Sequence, residues 1–415
     1  MSPAVSQDDQ QAQYASGFLQ GNVLVIALSS AVRSLGSFVG VYLPKYFLQI
    51  GGNPLTLGLY TSMAYLVQFL TLSVGGFVAD FYGRKRIIVL AAFYGVFFPV
   101  LYALVQDWRV FGALTLFATI GTISSPAVHA TVADSIAPER RTLGIATLQV
   151  VSSLPSVISP LLGGWLIASY GLENGFRTAC LYAAFFASLS VLPLLFFLKE
   201  TLHSKAGRAM DPSVRRVFSG FRKLSSDTVP HSLRVLIASY ALVAFANSAV
   251  AQYYILFASS VVGLSDFSWG LVVSLQLLVA SVLKIPGGWL SDRFGKRKIM
   301  IASLLTTVPA ILLFVLSRSF IEVVVATILL VAAGIYYAPT HEAFQADLTP
   351  RSVRGRVTAM WDMSSAISAA LGAAVGGLAF QAFGPAVPFY VFAVAELVAA
   401  LLLIGIVKEP ETREP

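Results

Sequence analysis

The stretch GGFVADFYGRKR at residues 75–86 ends a hydrophobic segment, and GGWLSDRFGKRK at residues 287–298 repeats it in the same setting. The aspartates of the two copies, Asp80 and Asp292, lie 212 residues apart. Further matches occur at a spacing of 213 residues: Pro126 with Pro339, Asp134 with Asp347, and Gly171 with Gly384. The chain therefore consists of two copies of one structural unit.

The composition is typical of a membrane protein. Hydrophobic residues make up 57% of the 415 residues and charged residues only 12%, which is too few to cover a water-exposed surface. Apolar segments of about 20 residues cross a bilayer as helices. We predict an all-α membrane protein with twelve spans, six in each half: 21–46, 55–79, 87–105, 110–134, 144–169, 176–198, 233–262, 268–291, 299–317, 321–346, 356–381 and 386–407.

These spans divide the chain into two pseudo-symmetric six-helix bundles with polar segments around them. The bundles cover residues 21–198 and 233–407, a linker covers 199–232, and polar tails cover 1–20 and 408–415.

The linker between the bundles carries an amphipathic pattern. Basic residues lie between apolar residues that recur at helical spacing: Val214, Val217, Phe218, Phe221 and Leu224. We predict a helix lying on the inner leaflet, where anionic lipids attract cations. The alternative is a solvated linker that is helical only part of the time.

The positive charges predict the orientation. Of the 28 Lys and Arg residues, 22 fall in segments on one side of the membrane, and only Lys45, Arg109, Arg177 and Arg318 fall on the other. Because cytoplasmic loops carry the excess of cations, we expect a cell-membrane protein with both termini in the cytoplasm. The net charge of +8 is dispersed over loops, which argues against a nucleic-acid partner.

Few residues are suited to hold a cofactor. Cys180 is the only cysteine and the chain has four histidines, so we expect neither a disulfide nor a metal site. No phosphate-binding loop of the ATPase type occurs, and direct use of ATP is not expected. We therefore expect no cofactor and no enzymatic activity.

Twelve spans in two repeats, a long middle loop, and the doubled motif after spans 2 and 8 closely resemble the major facilitator superfamily. The resemblance covers about residues 20 to 407. It implies a secondary transporter that works by alternating access on a small-molecule substrate, and we expect a monomer in the lipid bilayer. The family often has a basic residue at the position of Phe81, so the first copy departs from the family pattern there. The second copy has the basic residue Arg293 at the equivalent position.

The resemblance also implies a conformational latch that holds the halves in an outward-facing state. Taken from the residues alone, the glycines allow close helix contact, whereas the charged residues either pair or simply anchor the loops at the membrane surface. The latch residues by this resemblance are Gly76, Asp80, Gly83, Arg84 and Asp134, with Gly288, Asp292, Gly295, Lys296 and Asp347 as the equivalent in the second half.

Span 5 carries a partial match to a signature of the antiporter branches. Those branches tend to end span 5 with Gly-Pro-x-x-Gly-Gly, and this chain has Ser159 in place of the first glycine, followed by Pro160 and the pair Gly163 and Gly164. The match favours export over import.

Ionisable residues inside spans are the candidates for substrate binding and coupling, because each is costly in a bilayer unless it faces a cavity or a partner. By the resemblance, spans 1, 2, 4, 5, 7, 8, 10 and 11 line the cavity. The residues on these spans are Arg33, His129, Lys284, Glu342 and Asp362. Glu396, in span 12, is then expected outside the cavity, either paired within the second half or protonated.

Lys284, Glu342 and Asp362 are predicted at similar depth in the second bundle. In one reading a buried carboxylate takes a proton and releases Lys284, which couples protons to the conformational change; in the other the three charges are a structural triad. His129 either takes part in proton coupling or is a packing residue.

Arg33 has no acidic residue near it in span 1. Its guanidinium binds an anionic substrate group, pairs with Glu342 or Asp362 across the cavity, or extends to the membrane surface.

Aromatic residues at cavity positions indicate an amphipathic or ring-bearing substrate. The predicted substrate-binding set, besides Arg33, is Phe38, Tyr253, Tyr254, Tyr337 and Trp361. Tyr42 and Tyr46 fit the aromatic belt at the membrane interface equally well.

Together these features predict proton-coupled efflux of a small amphipathic organic solute. The alternatives are a proton-coupled organic-anion transporter centred on Arg33, and a non-transporting sensor or lipid-handling protein on the same fold.

Overall fold

Twelve helical spans make up the computed structural model, and each is long and apolar enough to cross a membrane. The structure describes residues 21–136, 141–202, 231–284, 290, 293–349 and 354–406. The predicted tails, the predicted linker helix, Gly288 and Asp292 lie outside these residues.

The first six spans form one bundle. Their helices are Gly21–Ser34 and Phe38–Gln49 in span 1, Pro54–Tyr82 in span 2, Arg84–Leu104 in span 3, Trp108–Thr119 and Ser125–Asp134 in span 4, Arg141–Ser153 and Ser159–Tyr170 in span 5, and Leu172–Phe197 in span 6.

The second bundle repeats this order. Its helices are His231–Val250 and Tyr254–Ser260 in span 7, Asp266–Leu283 in span 8, Lys296–Leu316 in span 9, Phe320–Gly334 and Tyr337–Leu348 in span 10, Arg354–Phe383 in span 11, and Val387–Ile406 in span 12.

Spans 1, 4, 5, 7 and 10 are interrupted near their middles, whereas continuous helices were predicted. In span 4 the interruption is the 3₁₀ helix Ile120–Ser124, and in span 5 it is Leu154–Val157. Broken helices occur inside membranes where neighbouring groups or a cavity satisfy the freed backbone.

Turn glycines display the internal repeat in the backbone itself. Gly83 and Gly295, with φ of 97° and 88°, occupy equivalent turns after spans 2 and 8. Gly171 and Gly384, with φ of 78° and 105°, do the same after spans 5 and 11. A side chain is unfavourable at such positive φ values, so both copies keep glycine at these positions.

We call the end that carries Gly83 and Gly295 the basic end, and the opposite end the far end. Polar caps begin helices at the far end: the Asn53 side chain accepts the backbone N–H of Thr56 at 2.9 Å, and the Ser265 hydroxyl accepts that of Ser268 at 3.1 Å. Such caps satisfy N–H groups that a helix start leaves free.

The hydrophobic core joins the two bundles only in part. One large cluster contains residues of both halves, including Tyr46 and Tyr253. A second cluster, which includes Val23 and Ala79, belongs to the first half, and a third, which includes Leu236 and Leu304, belongs to the second. The halves are therefore packed together towards the far end and have separate cores towards the basic end.

Candidate functional site

Polar contacts join the two halves at the far end. Lys45 of span 1 forms an ion pair with Asp266 of span 8, with 2.6 Å between Nζ and Oδ1. The Tyr42 hydroxyl lies 2.9 Å from the Asp266 carbonyl oxygen, and the Tyr253 hydroxyl donates to the Pro54 carbonyl at 3.1 Å. These contacts close the far end over the space between the bundles.

Glycines bring the helices of the two halves into backbone contact beside these bonds. A Cβ at Gly58 of span 2 would lie 2.5 Å from the carbonyl oxygen of Ala373 and 2.9 Å from Cα of Gly377, both in span 11. A Cβ at Gly270 of span 8 would lie 2.5 Å from the carbonyl oxygen of Pro160 in span 5. Because backbone atoms cannot move aside as side chains do, this closure requires glycine.

A cavity of about 750 Å³ begins at span 1 and extends into the second bundle. Its size is within the range of small-molecule sites. Most of its lining is apolar or aromatic, and its polar residues are Tyr240, Asn247, Gln252, Tyr254, Gln276, Ser303, Thr307, Tyr337 and Glu396.

Helical spacing places these lining residues on single faces. On span 7, Tyr240, Val243, Ala244, Asn247 and Ala251 line the cavity at intervals of three and four residues. This pattern is visible in the sequence, where polar residues recur on one face of an otherwise apolar span. Asn247 and Gln276 are neutral and polar, so they were not among the ionisable and aromatic candidates predicted from the sequence.

Glu396 of span 12 lines the cavity, contrary to our expectation. Its side chain is buried, at 2% exposure, and the Thr307 side chain of span 9 lines the same cavity. The expectation was wrong because it took spans 9 and 12 as peripheral. Here the cavity reaches between the spans of the bundle to Ser303 and Thr307 on span 9.

Aromatic rings form a cluster at one edge of the cavity. The Tyr240 ring centroid lies 4.5 Å from that of Trp361 and 4.6 Å from that of His341. His341 is fully buried: its Nε2 lies 3.1 Å from the Leu236 carbonyl oxygen, and its Nδ1 has no partner among the described residues. Trp361 thus packs against Tyr240, which lines the cavity, but Trp361 does not line the cavity itself.

Two of the predicted coupling residues lie close together beside this cluster. Glu342 of span 10 and Asp362 of span 11 are exposed side chains whose charges act on each other and on Tyr240. The predicted triad is not formed, because Lys284 makes no ion pair with either carboxylate in the described part of the chain. Lys284 directly follows the last residue of the span 8 helix and is exposed there.

Arg33 lies in the last turn of the first helix of span 1, beside the interruption at residues 35–37. The Ser159 hydroxyl of span 5 donates to the Leu35 carbonyl at 3.0 Å and accepts the Phe38 N–H at 2.8 Å, which bridges the break. The Arg33 side chain is exposed and forms no ion pair within the described ranges. A cation at a helix C-terminus also stabilises the helix dipole.

The remaining predicted binding residues divide between the cavity and the core. Tyr254 and Tyr337 line the cavity. Phe38 and Tyr253 are fully buried in the core shared by the halves, and His129 is exposed on span 4.

The described residues of the predicted latch form one ion pair in each half. Arg84 pairs with Asp134, and Lys296 Nζ lies 2.6 Å from Asp347 Oδ2. Asp80 is exposed and forms no ion pair within the described part of the chain. The Glu200 carboxylate also accepts the backbone N–H groups of Arg84 and Lys85 at 3.2 and 3.1 Å, a cap that sequence reasoning missed because Glu200 follows span 6.

Of the motif glycines that the structure describes, Gly75 makes the closest helix contact. A Cβ at Gly75 would lie 2.3 Å from the Ile123 carbonyl oxygen, whereas one at Gly76 would lie 3.9 Å from the Pro126 side chain. Span 2 therefore packs on span 4 through Gly75.

Two related bundles of membrane-crossing helices that meet around a ligand-sized cavity define a transporter of small molecules, not an enzyme. The Major Facilitator Superfamily model matches residues 23–275 and 236–415. The chain belongs to this superfamily.

Known relatives are similar along most of their length. Multidrug resistance protein MdtG of Dickeya zeae (strain Ech586) is 24% identical over 340 residues, covering 77% of this chain and 78% of the relative. Multidrug resistance protein 2 of Bacillus subtilis (strain 168) is 27% identical over 369 residues, covering 87% and 90%. The crystal structure of the human organic anion transporter MFSD10 (TETRAN) shares the fold, with a TM-score of 0.65 at 22% identity, covering 92% of this chain and 98% of that one.

Proposed function

We propose that this protein exports a small amphipathic organic solute in exchange for protons, by alternating access. The cavity carries this proposal, because it combines apolar and aromatic walls with a few polar groups, as sites for amphipathic ligands do. The two relatives named for multidrug resistance support the substrate class.

Alternating access is supported by the distribution of contacts. The halves are bonded at the far end through Lys45 and Asp266 and have separate cores at the basic end. If the basic end is cytoplasmic, this arrangement is the inward-open state. In the outward-open state the far-end contacts separate and the basic end closes. The ion pairs of Arg84 with Asp134 and of Lys296 with Asp347 each lie within one half, so this closure needs contacts other than these two pairs.

Proton coupling is assigned to Glu342 and Asp362. Two carboxylates that act on each other inside a membrane repel when both are charged, so one proton held between them relieves the repulsion. Loss of that proton on one side of the membrane and its recovery on the other would link the proton gradient to the conformational cycle.

The test is transport by the purified protein in lipid vesicles. We would measure uptake of ethidium, chloramphenicol and p-aminohippurate, with and without a pH gradient, to compare a cationic, a neutral and an anionic organic solute. Protein-dependent uptake of ethidium or chloramphenicol that increases with an opposing proton gradient supports the proposal. Uptake of none of the three, with or without a gradient, would contradict it.

The orientation gives a separate prediction. In a Cys180→Ser background, Gln106→Cys at the far end should react with a membrane-impermeant maleimide on intact cells, whereas Ser204→Cys should react only after permeabilisation. The native thiol is removed because Cys180, although buried, is the one competing thiol. Labelling of both positions from the same side would contradict the assignment of the basic end to the cytoplasm.

A second candidate function is transport of organic anions, and Arg33 favours it. The guanidinium is exposed inside span 1 and forms no ion pair in the described ranges. Such an unpaired guanidinium is free to bind an anionic group of a substrate. The fold neighbour MFSD10 is named an organic anion transporter. Against this candidate, Arg33 is absent from the cavity lining.

This candidate predicts that Arg33→Ala abolishes binding of p-aminohippurate. Arg33→Lys should keep part of it, because an ammonium group does not reproduce the planar guanidinium. Equilibrium dialysis on purified protein would measure both variants, with Arg109→Ala at the far end as the control. Binding of p-aminohippurate that survives Arg33→Ala would remove this candidate function.

A further inference from the structure

Glu396 occupies an unusual position for a carboxylate in a membrane-spanning helix. Its side chain is 2% exposed and lies in the cavity lining. Among the described residues that line the cavity, none is Lys or Arg, and Glu396 is the one acidic residue. An ionised carboxylate buried without a cation is costly, so this group is neutral when the cavity is empty or meets a cation that comes from outside the chain.

The groups packed around Glu396 are neutral and polar or aromatic. Thr307 of span 9 lines the same cavity, and its hydroxyl donates to the Ser303 carbonyl at 2.7 Å. The Glu396 charge acts on the hydroxyls of Tyr254 on span 7 and Tyr337 on span 10. Both tyrosines line the cavity. The Ser239 hydroxyl lies 3.1 Å from the Tyr337 hydroxyl and fixes its direction.

Aromatic rings that line the same cavity as a carboxylate suit one class of ligand in particular. Trp269, Tyr254 and Tyr337 line the same cavity as Glu396. Ring faces attract cations, and this attraction strengthens when water is excluded. An organic cation with an apolar body would therefore find both a counter-charge and apolar walls here, whereas an organic anion would find no cation among the described lining residues.

We propose that the inner end of the cavity is a subsite for the cationic group of the solute, with Glu396 as its counter-charge and spans 9 and 12 as part of the binding site. This deepens the proposed export function, on which it rests for the role of the cavity. It makes the substrate class more specific: organic cations with an apolar body.

The test is binding of tetraphenylphosphonium, whose charge is independent of pH, compared with the neutral triphenylphosphine oxide of similar shape. In purified protein, Glu396→Gln should weaken tetraphenylphosphonium binding about ten-fold or more, which corresponds to about 1.4 kcal/mol. Binding of triphenylphosphine oxide should stay within about two-fold, because the cavity keeps its shape. Glu396→Asp should retain part of the cation binding.

Controls separate loss of charge from loss of structure. Glu173→Gln removes an exposed acidic residue at the start of span 6 and should leave both affinities unchanged. Elution of Glu396→Gln from a sizing column as the wild type does would show that it folds. Unchanged tetraphenylphosphonium binding in Glu396→Gln, or equal loss of both ligands in the folded variant, would overturn the proposal.

The outcome is also distinct from that of the transport test. Binding is measured at equilibrium without a gradient, so Glu396-dependent cation binding without any transport would contradict the export function and leave the subsite in place. Ethidium export by the wild type, together with cation binding that does not depend on Glu396, would support the export function and contradict the subsite.

Discussion

Combining Glu342→Gln with Asp362→Asn in one chain should abolish solute uptake driven by a pH gradient. Both changes keep the shape of the side chain and remove the group that takes the proton. Exchange of labelled for unlabelled solute needs no net proton movement and should continue. The two rates would be measured in the same vesicles with the solute that gives the largest protein-dependent signal.

The two single variants and a variant far from both carboxylates serve as controls for the double variant. Each single variant keeps one carboxylate and should lose less than the double variant. Glu173→Gln should transport as the wild type does. Gradient-driven uptake at the wild-type rate in the double variant would place proton coupling elsewhere in the protein.

Gly58→Ala should nearly abolish transport for a different reason. The new Cβ would lie 2.5 Å from the Ala373 carbonyl oxygen, so spans 2 and 11 have to separate and the far end cannot close. Glu342, Asp362 and the cavity would remain intact, but the far end would lose its closure. Transport rate and the distance between spin labels at Gln106→Cys and Val261→Cys, both exposed at the far end, would report this.

Gly95→Ala is the matched control, because a Cβ at Gly95 of span 3 has no neighbour within 4 Å. It should transport as the wild type does and leave the label distance unchanged. A Gly58→Ala protein with wild-type transport and an unchanged distance would show that close contact of spans 2 and 11 is not required for closure.

Much of the fold is predictable from the sequence because a bilayer imposes simple conditions. Twelve apolar segments, the doubled motif and the repeat spacing predict two bundles of six helices. The same repeat places the ion pairs of Arg84 with Asp134 and Lys296 with Asp347 at equivalent positions.

The interruptions of the spans were not predictable in the same way. Residues 35–37 are compatible with a helix by hydropathy, and the break is stabilised by Ser159, a residue far away in the sequence. A contact between residues so far apart in the sequence cannot be predicted from hydropathy along the chain. Ser159 also explains the departure from the glycine of the antiporter signature, because glycine has no hydroxyl to bridge the break.

The candidate site shows the same limit. Glu342 and Asp362 stand out in the sequence because charges are rare inside spans. Whether they pair with Lys284 depends on how spans 8, 10 and 11 pack, and no such ion pair is formed among the described residues. Glu396 was excluded on the basis of the expected ring of cavity-lining spans. Its place in the lining depends on how deeply the cavity enters the second bundle, which is a property of packing.

The central claim, exchange of protons for an organic solute, is tested most directly by proton movement that the solute itself drives. Vesicles with the purified protein would enclose the pH indicator pyranine, with no imposed pH gradient and the membrane potential held at zero by potassium and valinomycin. Addition of ethidium or chloramphenicol outside should make the lumen more alkaline, as protons leave while solute enters, and the Glu342→Gln, Asp362→Asn double variant should show no change. Protein-dependent entry of either solute at constant lumenal pH would contradict the account.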